Sequence, residues 1–112
     1  MAVPFVALSA VTSTGPGPSH DLGELADHHT MFFKVTGGAS WTIVLEGSHD
    51  DTNWLGLGQG SGSSGALTEV TVPTTSLPGT LVRYVRANLT SLTGGSSPTV
   101  SATIASDTEQ DE

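Results

Sequence analysis

Apolar and polar residues alternate along most of this chain, in short runs. In Ser40–Trp54, Trp41, Ile43 and Leu45 alternate with Thr42, Val44 and Glu46. Side chains on an extended strand point to opposite faces at every second residue, so Trp41, Ile43 and Leu45 share one face. Gly47–Asn53 is dense in turn-forming residues, and Trp54 then opens an apolar run with Leu55 and Leu57. Both tryptophans thus flank one turn, and each is expected to dock a foot of a hairpin on a core.

The same period of two recurs. Val3–Thr12 puts Val3, Phe5, Ala7, Ser9 and Val11 on one face and Pro4, Val6, Leu8 and Ala10 on the other. Both faces are apolar, so one is expected to meet a neighbouring subunit. Pro4 cannot donate to a ladder and suits a strand start or an edge. Thr30–Thr36 turns Met31, Phe33 and Val35 one way and Phe32 and Lys34 the other. Further strands are expected at Trp54–Gln59, Ala66–Val72, Leu81–Ser91 and Pro98–Ala105. In Ala66–Val72, Val70 and Val72 share a face. In Leu81–Ser91, the set Leu81, Arg83, Val85, Ala87 and Leu89 opposes Val82, Tyr84, Arg86 and Asn88. Val100, Ala102 and Ile104 point inward from the last strand.

Glycine and proline punctuate these runs. Ser13–Ser19 reads as a loop, Gly37-Gly38 and Gly94-Gly95 as hairpin turns, Gly60–Gly65 as a flexible surface connector and Pro73–Thr80 as a turn. Asp21–Thr30 is open between a helical turn and a short edge strand. Only Leu22, Leu25 and Ala26 show helical spacing. No connection suits a parallel crossover helix. The expected fold class is all-β, a single-domain antiparallel β-sandwich, jelly-roll or Ig-like, of about seven or eight strands. It spans residues 1–105, and an acidic flexible tail, 106–112, follows it.

Composition narrows the function. The 112 residues include three cations, Lys34, Arg83 and Arg86, against 11 acids, for a net charge of −8. Four of those acids lie in the tail: Asp107, Glu109, Asp111 and Glu112. Three cations cannot neutralise a run of phosphates, so nucleic acid is excluded as a partner, and an anionic membrane surface with it. There is no cysteine, hence no disulfide and no thiolate metal site. The apolar start alternates and has no cation before it, so it reads as a strand and not as a secretory signal. No run approaches the ~20 apolar residues of a spanning helix.

Candidate chemistry is sparse. His20, Asp21, Asp27, His28 and His29 cluster in sequence, but adjacent imidazoles point apart on a strand and diverge on a helix, so a solvated polar loop outweighs a metal site. Glu46, Asp50 and Asp51 crowd one turn. Calcium takes six or more oxygens, so turn chemistry outweighs it. No Gly-x-Ser-x-Gly elbow occurs, and Gly56-Leu57-Gly58-Gln59-Gly60 lacks the lysine and helix of a phosphate loop. No catalytic residue, metal or cofactor is expected, and the chain is not read as an enzyme. Arg86 is open between a partner-recognition residue and an ion pair with Glu46 or Glu69. Phe32 marks a contact surface if exposed and core if both faces of its strand are covered. Phe5, Phe32, Trp54 and Arg86 are the candidate partner contacts.

Two resemblances bear on this. Leu45–Trp54, followed by Arg83-Tyr84-Val85-Arg86-Ala87, resembles small structural proteins of tailed-phage virions, head-decoration proteins among them. That implies a decoration protein on the virion's capsid surface, docked on the major capsid protein as a homotrimer and stabilising the head. The same segments are similar to discoidin-like jelly-roll modules, which carry a Ser-x-Asp-Gly-x-x-Trp turn. Here Ser48-His49-Asp50-Asp51-Thr52-Asn53-Trp54 has Asp51 in the glycine's place, so the turn is strained or different. This second resemblance implies carbohydrate binding, with Trp54 and Tyr84 as the available rings; a minor tail or fibre protein mediating host adhesion is the further alternative.

Overall fold

A computed structural model of the chain describes residues 4–63, 68–72 and 81–107. Its strands, in chain order, are β1 (Phe5–Val11), β2 (Gly15–Pro16), β3 (His20–Ala26), β4 (His28–Thr36), β5 (Ser40–Ser48), β6 (Leu55–Ser63), β7 (Thr68–Val72), β8 (Val82–Thr93) and β9 (Thr99–Asp107). No helix occurs among the described residues. One sheet runs β1-β9-β4-β7 and the other β2-β8-β5-β6, with β3 on the same side of β8 as β2. Every pair is antiparallel. The protein is an all-β sandwich, as the alternation predicts.

The core is the set of inward positions on two facing sheets. Met31, Phe33 and Val35 of β4 and Val100, Ala102 and Ile104 of β9 come from one sheet. Trp41, Ile43 and Leu45 of β5, Val85, Ala87 and Leu89 of β8 and Leu57 of β6 come from the other. The Phe33 and Trp41 rings meet edge to face across the gap, centroids 4.8 Å apart at 78°. These rings need space, and β6 provides it. A Cβ on Gly60 would lie 2.6 Å from Phe33 Cζ, and one on Gly62 would touch the Trp41 ring. Gly60–Ser63 is therefore the second half of a strand under the aromatic pair and not a flexible connector.

The two glycine pairs do not make hairpins. Gly37 and Gly38 join β4 of one sheet to β5 of the other, and Gly94 and Gly95 return from β8 to β9. All four have positive φ, between 73° and 92°. The two turns pack together, with Ser96 N–H donating to the Gly37 carbonyl at 2.7 Å. Positive φ reverses the chain, but it does not decide whether the next strand lies beside its predecessor or over it. Burial decides that, because Met31–Val35 and Trp41–Leu45 each need a facing layer.

Strict alternation fails in β1 and in β8. In β1 the register against β9 shifts on both sides of Leu8, and Ala10 has φ 48°. Ala7 and Leu8 are consequently both buried, whereas Val6 is exposed. In β8, Val82 is buried and Leu81 and Arg83 are exposed, the reverse of the expected faces; from Val85 to Leu89 the alternation holds, and the register against β5 then shifts between Leu89 and Ser91. Arg83 and Arg86 therefore do not sit on opposite faces of the sandwich. A bulge adds one residue, and one residue swaps every side chain before it. Asp21–Thr30 forms strands, with β3 beside β8 and His28–Thr30 opening β4. β9 continues to Asp107 against His28. Val3, the expected Pro73–Thr80 turn and the tail from 108 on lie outside the described residues.

Because Phe33 fills the space over Gly60, Gly60→Ala is expected to cost about 1–3 kcal/mol by overpacking. Combining it with Phe33→Leu should recover part of that loss in a double-mutant cycle read by urea unfolding. Simple additivity would show that the contact is not limiting.

Candidate docking surface

The outer face of the four-stranded sheet carries an apolar band. Phe32 points away from the core that takes Met31 and Phe33, and is 43% exposed. Val6, on the edge strand β1, is 62% exposed. Both register with Thr103 of β9, one from each side, so Val6, Thr103 and Phe32 form a row across three strands. Glu69 of β7 stands opposite Phe32 at the end of that row. An open groove of about 460 Å³ runs along the band, lined by Val6, Leu8, Phe32, Lys34 and Thr103 among others. Exposed Lys34 and Ser101 supply a polar rim. Phe32, one of the predicted contacts, thus lies on a surface with an unpredicted partner, Val6. Val6 is outward by alternation with Phe5 and Ala7; the bulge that follows turns Leu8 inward, and no residue type announces it.

The other three predicted contacts lie elsewhere. Phe5 is half-buried against the core and stacks on His20, ring centroids 3.8 Å apart and 15° from parallel, tying β1 to β3. Arg86 is half-buried on the outer side of the five-stranded sheet. Its Nε donates to Glu46 Oε1 at 2.7 Å, and its guanidinium carbon sits 4.1 Å from the centre of the Trp54 ring. Asn88 Nδ2 donates to the second Glu46 oxygen at 3.1 Å. Glu46 and Arg86 face each other in the β5–β8 register, which is why the pair forms. Of the two readings of Arg86, the ion pair is the one observed. Trp54 precedes β6 and lies on Arg86 at the surface, so only Trp41 docks into the core.

The turn that carries Trp54 is held by its own side chains. Ser48, itself buried, accepts the N–H groups of Asp50 and Asp51 and donates its hydroxyl to Asp50 Oδ1. Asp50 accepts the N–H groups of Thr52 and Asn53 at 3.0 and 2.8 Å, and Asn53 Nδ2 on its other oxygen. These donors, the Asn53 N–H foremost, hold the Asp50 carboxyl far below its ordinary value of 3.8. Asp51 adopts φ 62°, the left-handed conformation a glycine would take there more easily. Two of the three carboxylates considered for calcium are engaged elsewhere: Asp50 on backbone N–H groups and Asn53, Glu46 on Arg86 and Asn88.

The histidines do not converge either. His29 is buried with Nδ1 2.8 Å from Ser106 Oγ, His28 Nδ1 lies 2.9 Å from Asp27 Oδ1, and His49 Nε2 lies 2.7 Å from the Leu81 carbonyl. Asp21 accepts both Nε and Nη2 of Arg83, and also the Gly23 N–H. The Arg83 guanidinium, ahead of that N–H, lowers its pKa. Among the described residues, no group of three or more His, Cys, Asp or Glu side chains could hold a metal ion.

No protein-family model matches the chain, and no curated protein matches it. Among solved structures, the chain is similar to the SPBc2 prophage-derived protein YomS, with a TM-score of 0.57 over 94% of this chain and 93% of that one. At 14% identity the likeness is one of fold. Looser superpositions are found with the infectious bursal disease virus Gx strain structure (TM-score 0.46, 11% identity, 95% of this chain, 31% of that one) and with the Yersinia pseudotuberculosis-derived mitogen (TM-score 0.40, 8% identity, 100% and 90%). Neither of these two bears on the argument.

A carboxylate with a folded pKa below its unfolded value stabilises the fold above the unfolded pKa and stops doing so as pH falls through the folded one. Asp50 and Asp21 both have this sign. Their contribution is expected to hold steady from neutrality to about pH 5 and to decline below it. Urea unfolding at stepped pH should therefore show a shallower acid slope for Asp50→Asn than for the native chain; identical slopes would remove Asp50 from the account. Trp54→Ala and Arg86→Ala are expected to couple by about 0.5–2 kcal/mol in a double-mutant cycle, and zero coupling would mean that the stacked geometry carries no energy.

Proposed function

We propose that this chain is a non-enzymatic structural protein of a phage particle, docking on the outside of the capsid through the outer face of its four-stranded sheet. The observation that carries the reading is the Val6–Thr103–Phe32 row: two large apolar side chains left in water on a sheet whose other face is fully packed. A soluble domain gains nothing from exposing a phenylalanine and a valine side by side, whereas an interface does. Among the described residues, Asp50, Asp21, Arg83, Glu46 and Arg86 are engaged in pairs and turns, which supports a role in binding and not in catalysis. The shared fold with a prophage-derived protein is in keeping with a phage setting. The chain's net charge of −8 opposes unspecific clumping of the free protein before it docks.

Burying one large apolar side chain contributes roughly 1.5–3 kcal/mol, and a standard interface of ~1,600 Å² retains only part of such terms after ordering and desolvation. Loss of Phe32 alone should therefore be visible. The carbohydrate reading is less favoured, because one face of the Trp54 ring is already covered by Arg86.

The test is cosedimentation with shells of the phage that encodes the chain, prepared without it. The native chain should pellet with the shells. Phe32→Glu, whose new carboxylate stands opposite Glu69 and is expected to cost about 0.2–1 kcal/mol of stability, should leave the chain folded by urea unfolding and weaken binding tenfold or more. Native-like binding by Phe32→Glu, or no binding by the native chain, would overturn the proposal.

A further inference from the structure

A sandwich has open strand edges, and an open edge pairs with other chains unless something blocks it. Three of the edges here are blocked. β1 is bent by bulges on both sides of Leu8, with Ala10 at φ 48°. β7 has five residues and carries exposed Glu69. The β2–β3 side is two residues ending in Pro16, then a strand with exposed Asp21 and Glu24. β6 differs from all of them. Among the described residues its one sheet neighbour is β5. It is nine residues long, with no charge and no proline. From Gly58 to Ser63 it runs in unbroken register against Leu45–Ser40. Its outward residues there, Gln59 and Ser61, are small or neutral, and an open groove of about 230 Å³ lies beside it, lined by Val44, Gly56, Leu57, Gly58 and Gln59.

We propose that β6 is the contact between two copies of this chain, which pair antiparallel along it about a two-fold axis near Gly60 and join their five-stranded sheets into one. The occupant follows from charge and symmetry. Each copy carries a net charge of −8, so two copies repel over most approaches. β6 is an uncharged strip where main chains can meet with no carboxylate opposed to another. An antiparallel pairing of a strand with itself is self-complementary: whatever Gln59 meets on the partner, the partner's Gln59 meets in return. With the axis near Gly60, outward residues face outward residues, and Gln59 of each copy opposes Ser61 of the other. Affinity would come from main-chain hydrogen bonds, and the near-bare strand leaves little side-chain bulk in their way. This contact is independent of the Val6–Phe32 face and of any phage shell.

Charge swaps test it in the full chain. One variant carries Gln59→Glu with Ser61→Glu, the other Gln59→Lys with Ser61→Lys. Both positions are exposed, and in either register near Gly60 the new charges oppose like charges across the axis. Sedimentation across a dilution series should show a dimer for the native chain and at least tenfold weaker dimerisation for each variant alone. Mixing the two should restore the dimer, an outcome that a folding defect in either variant would not produce. Amide exchange in β6 should be slow in the native dimer and in the mixture, and faster in each variant alone. A native chain that stays monomeric, or forms the trimer that the decoration-protein resemblance implies, would overturn the proposal. So would variants that dimerise like the native chain, or a mixture that stays apart.

Discussion

The edge-to-face contact of Phe33 and Trp41 is the constraint around which the sandwich closes. Two rings of that size between two sheets demand a neighbour with no side chain, and β6 answers with Gly60 and Gly62. The cost is a strand weakened by glycine, with less side chain to pack and more backbone entropy to lose. β5 offsets it by pairing with β6 along its length, while its own Trp41, Ile43 and Leu45 are held in the core. Trp41 Nε1 is buried, with no hydrogen-bond partner among the described residues, and the shape and area of the indole are what the core takes from it.

That inner demand has an outer consequence. A strand stripped of side chains to make room for two rings is also stripped of the devices that guard an edge. The properties that suit β6 to the core, small, uncharged and flat, are those that leave its free edge open to another strand. The apolar band on the opposite sheet has a different origin. Phe32 is outward because Met31 and Phe33 are inward, and Val6 is outward because Phe5 and Ala7 are inward. Both surfaces are by-products of packing that can be put to use.

Charge in this protein is structural. Both arginines belong to β8, and each is committed to a carboxylate from a neighbouring strand: Arg86 to Glu46 on β5, Arg83 to Asp21 on β3. Asp50 organises the turn between β5 and β6, and by doing so places Trp54 over Arg86. The positive φ of Asp51 is held by that same network, with Ser48 on its N–H. Exposed ion pairs contribute little to stability on their own. Here they set which residues are left over, and Lys34 remains exposed beside Phe32.

What the residues determine alone is local and periodic. Met31–Val35, Trp41–Leu45 and Val100–Ile104 could be assigned to strands with the correct faces inward, because a period of two needs no knowledge of the partner strand. The Ser48–Asn53 turn was legible for the same reason, its donors and acceptors lying within a few residues of each other. The ion pair of Arg86 with Glu46 stood as one of two readings, and the register of β5 on β8 selected it. Tertiary structure alone decided the rest. It sent the two glycine pairs across the sandwich instead of around hairpins, since a turn's φ angles are the same either way and only the burial of both strands' inner faces distinguishes them. It turned Leu8 inward at the bulges of β1 and reversed the faces of Val82 and Arg83 at the start of β8, because an irregularity of one residue changes faces without changing composition. It left Phe32 in water, since an alternating strand names two faces but cannot say whether a second layer will cover the outer one.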